Sequence, residues 1–237
     1  GMTGNGTRGF RWMSLWSMGR SKRSAEKRTN SDGWSSLRKE KRPQKPLAEP
    51  EADALWPDVA GHWAEDAIRR FAANGWMTGY PDGTFQPDRP MTRAEFVALV
   101  VKVLGLDAVD GEPFADTIGH WAQDAIAAAH RQGIVEGYDG DTFGPDDPLF
   151  REQMVAIVVK AFGLREAEEG RMVPFTDEEA ISVWAREAVR IAASHGIVMG
   201  YEDGAFRPQR PVTRAEAVTI LARALQTVSL LPPFDSA

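Results

Sequence analysis

Apolar residues recur at i, i+4, i+5 and i+8 in three stretches: Trp63, Ala67, Ile68 and Phe71; Trp121, Ala125, Ile126 and Ala129; Trp184, Ala188, Val189 and Ala192. That spacing draws one apolar face along a helix of 3.6 residues per turn. Each stretch stops at Asn74-Gly75, Gln132-Gly133 or His195-Gly196, where glycine takes the left-handed conformation that ends a helix. A short apolar run then enters a polar loop: Gly79-Tyr80-Pro81-Asp82-Gly83-Thr84-Phe85, Gly137-Tyr138-Asp139-Gly140-Asp141-Thr142-Phe143 and Gly200-Tyr201-Glu202-Asp203-Gly204-Ala205-Phe206. Asp-Gly and the prolines that follow are turn chemistry. A second pattern, rich in Ala, Val and Leu, opens at Thr92, Phe150 and Thr213 and runs to Gly105, Gly163 and about Gln226. The predicted order is helix, loop, helix, three times, and the fold class is all-α.

The three copies are one unit repeated. Gly79, Gly137 and Gly200 follow their tryptophans by 16 residues, and Arg93, Arg151 and Arg214 follow by 30, while the copies themselves lie 58 and 63 residues apart. Length varies in the joins, so the geometry from Trp to Arg is the conserved part of the unit. The expected divisions are a basic low-complexity tail at 1–54, repeats at 55–106, 107–165 and 166–228, and a C-terminal tail at 229–237.

Charge separates the tail from the body. Residues 1–50 carry 12 Lys and Arg against 4 Asp and Glu, leaving 16 basic and 30 acidic residues for the rest of the 237-residue chain. The tail shows no sustained apolar period and is expected to be disordered; its cluster Phe10, Trp12, Met13, Leu15, Trp16 and Met18 is a candidate sticky helix. With no cysteine, disulfides, zinc-thiolate sites and thiol nucleophiles are excluded. No apolar run reaches membrane-spanning length, and the N-terminus lacks the order of a signal peptide, so an export signal is expected outside this chain. The tail from Leu231 to Asp235 suggests that nothing large follows.

The motifs Asp58-Val59-Ala60-Gly61-His62-Trp63-Ala64, Asp116-Thr117-Ile118-Gly119-His120-Trp121-Ala122, Gly-Tyr-x-Asp-Gly-Thr-Phe-x-Pro, and Thr92-Arg93-Ala94-Glu95 with Thr213-Arg214-Ala215-Glu216 resemble the S-layer homology family over about three quarters of the chain. The resemblance implies a pseudo-threefold module. One helix of each repeat would join a central three-helix bundle, and the inter-repeat grooves would bind a pyruvylated secondary cell-wall polymer linked to peptidoglycan, at the bacterial cell surface. It implies a monomer in the form of a pseudo-trimer, with no cofactor, no metal and no nucleic acid partner.

The residues fit such a ligand. Thr-x-x-Glu is a capping box, with threonine and glutamate satisfying free backbone donors of the first turn. The next residue is an arginine, at the positive end of the helix. A carboxylate placed there, such as that of a pyruvyl ketal, meets the guanidinium fork and the helix field together. The candidate ligand residues are therefore Arg93, Arg151 and Arg214, and replacing Arg93 or Arg214 by Ala is expected to weaken binding with little loss of helicity. Tyr80, Tyr138 and Tyr201 offer a ring and a hydroxyl to a sugar, and Gly79, Gly137 and Gly200 permit close backbone approach. Asp58, Asp116 and Asp177 are expected as helix caps, with groove contact as the alternative. Trp63, Trp121 and Trp184, on the apolar stripe, are expected as core or inter-repeat anchors, and Phe85, Phe143 and Phe206 as pins between loop and core.

The copies differ. Repeat two has Phe150-Arg151-Glu152-Gln153, which removes the threonine cap and sets a carboxylate beside Arg151, so its groove is expected to be weaker or altered. Repeat three has Val183-Trp184 without the histidine, and two extra residues after Asp177, so its lead-in loop is expected to be reshaped. Among rival functions, a calcium loop lacks the required carboxylate spacing. An enzyme lacks a nucleophile-base pair, phosphate loop or metal motif, and no catalytic residue is assigned. A protein-binding scaffold without glycan is the alternative that the sequence leaves open.

Overall fold

The computed structural model describes residues 56–167 and 174–231. The expected disorder of the 1–54 tail, the helix suggested by its apolar cluster, and residues 232–237 lie outside the described residues. The described part contains six α-helices: α1 Glu65–Ala73, α2 Arg93–Leu104, α3 Gln123–Arg131, α4 Arg151–Phe162, α5 Arg186–Ser194 and α6 Arg214–Thr227. Each repeat supplies two of them, with short 3-10 turns at Ala115–Thr117 and Glu178–Ala180.

The first helices carry one buried stripe. In α1 it is Ala67, Ile68 and Phe71, and the helix stops where Gly75 turns left-handed (φ 67°) and the Trp76 N–H reaches back to the Phe71 carbonyl at 2.9 Å. The second helices are apolar around most of their circumference, as helices inside a bundle must be; α6 buries Ala215, Ala217, Val218, Ile220, Leu221, Ala222, Ala224 and Leu225. Both threonine capping boxes form: the Thr92 hydroxyl accepts from the Glu95 N–H, and the Glu95 carboxylate accepts from the Thr92 N–H, with the same exchange between Thr213 and Glu216. Phe150 has no acceptor to offer, and half the box survives as the Gln153 side chain accepting from the Phe150 N–H.

A repeat is not a packing unit. Helix α2 of repeat one packs on α3 of repeat two, α4 of repeat two on α5 of repeat three, and α6 of repeat three on α1 of repeat one, closing the ring; α4 touches both α2 and α6 at the centre. The three second helices are joined at their N-termini by a cycle of backbone hydrogen bonds. The Met91 N–H donates to Val212, Val212 to Leu149, and Leu149 back to Met91, at 2.9, 2.9 and 3.0 Å. No single helix pair has a core of its own, so the three repeats are expected to fold together.

The loops are held by the aspartates. Asp58 accepts the N–H groups of Phe85 and Gln86, Asp116 those of Phe143 and Gly144, and Asp177 those of Phe206 and Arg207. The expectation of helix caps is thus corrected: α1, α3 and α5 start without a side-chain cap of this kind. Each carboxylate instead clasps a loop 27 to 30 residues downstream. The second N–H of each pair belongs to a left-handed residue, Gln86 (φ 57°), Gly144 (φ 71°) or Arg207 (φ 57°), a conformation that side-chain-bearing residues keep only when the surroundings enforce it. Phe85, Phe143 and Phe206 are fully buried beneath these clasps, as their role as pins requires.

Candidate functional site

Three equivalent grooves form where the second helix of one repeat meets the loop of the next. The Arg93 guanidinium lies between the rings of Tyr138 and Phe143, with centroids at 4.6 and 4.5 Å. Arg151 lies between Tyr201 and Phe206 at 4.9 and 5.2 Å, and Arg214 between Tyr80 and Phe85 at 4.8 and 4.4 Å. Each arginine therefore works with the Gly-Tyr loop of the following repeat, and Arg214 with that of repeat one. The arginines are buried, and burial lowers the pKa of all three from the ordinary arginine value. Guanidinium remains charged in such surroundings.

The fork is already partly engaged. Arg93 donates through Nε to the Phe143 carbonyl at 3.0 Å and through Nη2 to that of Glu136 at 3.4 Å. Arg214 donates to the Phe85 and Thr78 carbonyls at 2.9 and 3.2 Å. These bonds tie adjacent repeats together, so the arginines hold the fold as well as offering charge. Arg151 differs: Nη2 donates to Met199 at 3.0 Å, Nη1 lies 3.9 Å from Glu216 Oε1, and Nε is buried without an acceptor among the described residues.

The helix N-termini correct a second expectation. The first two N–H groups of α2 donate to Asp147 and Pro145, those of α4 to Arg210 and Pro208, and those of α6 to Arg89 and Pro87. Loop carbonyls of the neighbouring repeat take these donors, so a groove anion would depend on the guanidinium and the remaining groove cations rather than on free helix N–H groups.

The tyrosines turn a ring face toward arginine rather than leaving it open. The hydroxyls are engaged too: Arg89 donates to Tyr80 and to Glu95 at 2.8 Å, while Arg210 donates to Tyr201 and Glu216, and Tyr201 donates to Glu216 at 2.9 Å. Burial pushes the Glu216 carboxyl up, but the Thr213 N–H, Arg210 and the Tyr201 hydroxyl outweigh it and hold the group below the usual glutamate value of 4.5. The glycines give the close approach expected, to the protein's own loop. A Cβ on Gly79 would lie 1.9 Å from Trp56 Nε1, one on Gly137 2.5 Å from Phe114 and from the Thr142 carbonyl, and one on Gly200 3.0 Å from the Gly204 carbonyl.

The tryptophans overturn the core reading. Trp63 and Trp121 are 63 % and 66 % exposed, and Trp184 is 37 % exposed. The helices begin two residues after each tryptophan, at Glu65, Gln123 and Arg186, so the indoles stand in the lead-in turns. The buried stripe starts instead at Ala64, Ala122 and Ala185. His62 and His120 accept the N–H of Ala64 and Ala122 at 3.1 Å and lie beside the indoles, with ring centroids 5.3 and 5.4 Å away. Trp63 reaches the groove between repeats two and three. There it lines an open cavity of about 230 Å³ with Arg151, Met199, Gly200, Tyr201 and Glu216, and with Thr219, Ile220 and Arg223 of α6.

The departures of repeats two and three are two sides of one contact. Glu152, which stands where the other repeats have Ala94 and Ala215, is buried and turned away from the groove. It accepts the N–H and hydroxyl of Ser182 at 2.9 Å each and a hydrogen bond from Gln209. Ser182 lies in the lead-in to α5, one residue before Val183, which stands where the other repeats have a histidine. The lead-in is reshaped as expected, while the carboxylate expected to compete at Arg151 is occupied elsewhere.

Sequence reasoning passed over Trp63 as a groove residue, and also Arg89, Arg210 and Arg223. The signal for two of them was present as Arg89-Pro90 and Arg210-Pro211, against Asp147-Pro148 in repeat two.

Comparison with known proteins agrees with this architecture. The S-layer homology domain matches at residues 57–97, 113–155 and 174–218. The chain is 37 % identical over 177 residues to an amylopullulanase of Thermoanaerobacterium thermosulfurigenes, covering 72 % of this chain and 9 % of that protein. It is 36 % identical over 170 residues to exoglucanase XynX of Acetivibrio thermocellus, covering 69 % and 16 %. It is 34 % identical over 174 residues to S-layer protein EA1 of Bacillus anthracis, covering 72 % and 20 %. The chain thus spans no more than a fifth of the length of these relatives. No helix among the described residues is long and apolar enough to cross a membrane. With three tandem matches falling on the three structural repeats, the chain belongs to the S-layer homology domain family and is a cell-surface module.

Proposed function

We propose that this module holds a protein on the bacterial cell surface without a covalent bond, by binding an anionic, pyruvylated secondary cell-wall polysaccharide in its inter-repeat grooves. The observation that carries this reading is the groove between repeats two and three. The buried Arg151, which makes fewer hydrogen bonds to its loop than Arg93 or Arg214, stands at a cavity lined also by Arg223 and by the exposed indole of Trp63. A carboxylate supplies counter-charge to the Arg151 and Arg223 guanidinium groups, a sugar ring covers the Trp63 face, and a neutral glycan would leave the excess positive charge of the groove unmatched. The reading is of a non-catalytic module: the amylopullulanase and exoglucanase share with it only 9 % and 16 % of their lengths.

Calorimetric titration tests the reading. A pyruvylated disaccharide is expected to bind saturably, and the same disaccharide without pyruvate at least roughly tenfold more weakly, the loss of one charge-assisted hydrogen bond. Equal affinity for the two sugars contradicts it. A protein-binding scaffold is the second reading, favoured by the exposed Ile118, Trp121 and Val183, and it predicts no saturable binding of either sugar.

A further inference from the structure

The three grooves share geometry but not charge. Between repeats two and three, Arg151, Arg210, Arg223 and Glu216 put three cations and one anion at four groove positions, while Arg207, itself paired with Asp203, lies over the Tyr201 ring. Between repeats three and one the same positions hold Arg214, Arg89, Lys102 and Glu95, again three cations to one anion. Between repeats one and two they hold Arg93, Asp147, Lys160 and Gln153. There Glu136 occupies the position of Thr78 and Met199, next to the loop glycine. That groove has two cations and two anions, and they neutralise each other in place: Lys160 pairs with Glu136 at 2.8 Å. Asp147 lies near Arg93 and takes the Tyr138 hydroxyl, which Gln153 also contacts. In the other two grooves that hydroxyl position is met by an arginine.

We infer that Glu136 and Asp147 disable the groove between repeats one and two for anions, so that the module binds an anionic glycan at two sites, those of Arg151 and Arg214. The inference rests on the glycan reading proposed above and assigns specificity to residues within it. An incoming carboxylate at Arg93 would meet Asp147 across the groove, and like charges brought together across an interface cost enough to exclude a ligand. On this inference the groove of Arg151, expected from the sequence to be weaker or altered, is one of the two that bind.

The test is the stoichiometry of calorimetric titration with a pyruvylated disaccharide, with thermal melting by circular dichroism to verify folding. The unaltered chain is expected to titrate at two sites. Glu136→Thr/Asp147→Arg/Gln153→Glu, which gives the first groove the residues of the groove between repeats three and one, is expected to titrate at three. The reciprocal variant Met199→Glu/Arg210→Asp/Glu216→Gln is expected to titrate at one. Three sites in the unaltered chain, or a converted variant that folds and remains at two, overturns the inference and leaves the glycan reading standing. No saturable binding to any groove overturns both.

Discussion

Arg214→Ala is expected to cost stability as well as binding, by about 2–4 kcal/mol, or roughly 5–15 °C in Tm for a domain of this size. The guanidinium donates to the Phe85 and Thr78 carbonyls of repeat one and fills the space between Tyr80 and Phe85. Its removal strips two carbonyls of their donor at the seam where the last repeat closes on the first. Helical content at low temperature is expected to remain, because the Thr213 cap does not depend on the arginine, while cooperativity and Tm fall. Arg214→Lys is expected to restore little. An ammonium is a point charge on a flexible stem and cannot reproduce the planar fork held between two rings. Thermal melting checks both variants, and an unchanged Tm for Arg214→Ala would show that the seam does not rely on this side chain. The sequence-based expectation concerned binding and helicity, and did not weigh the seam that the guanidinium ties.

Asp58→Ala is expected to have an effect of similar size, about 2–4 kcal/mol, through the loss of charge-assisted bonds to two backbone N–H groups. The distances, 3.0 Å to Phe85 and 2.7 Å to Gln86, show the carboxylate closing over the loop above the buried Phe85. Gln86 then has nothing to hold it at φ 57°. Adding Gln86→Gly to Asp58→Ala is expected to recover about 1 kcal/mol, since glycine adopts the left-handed conformation without steric cost. Repeat two already has this arrangement in Gly144 (φ 71°). Urea denaturation midpoints measure both steps, and no recovery on adding Gln86→Gly would remove left-handed strain from the account of why the aspartate is needed.

Much of this fold was legible because it is written locally. The 3.6-residue stripe, the glycines that stop α1, α3 and α5, and the Thr-x-x-Glu starts of α2 and α6 act within a few residues of themselves, and each appears where its chemistry puts it. What the residues did not reveal is long-range. A helical stripe says which face is buried but not which partner buries it, so nothing in α1 announced that it packs on α6 at the far end of the chain. Trp63 was misread because periodicity was extended two residues beyond the helix; the true stripe begins at Ala64, and the indole is left facing a groove. Asp58, Asp116 and Asp177 stand at helix starts and look like caps, yet their partners lie 27 to 30 residues away. Glu152 looked like a competitor for Arg151 because the two are adjacent in sequence, although a helix points consecutive side chains in different directions.

The groove arginines were found from sequence, but not their company. Their place in the first turn was clear from the capping motif, while the loop that completes each groove comes from the next repeat. The charge balance of a groove is therefore a property of two repeats, and of five positions that lie up to 136 residues apart in the chain. Only with those positions brought together does the contrast between Asp147 and its counterparts Arg89 and Arg210 become a statement about ligands.

The central claim, that the module recognises the anionic group of a wall polymer, is tested most directly by co-sedimentation with purified cell-wall sacculi before and after selective removal of pyruvate from the polymer. The account predicts that the protein pellets with intact sacculi and remains in the supernatant once the pyruvate is gone. Sedimentation unchanged by the loss of pyruvate would contradict it.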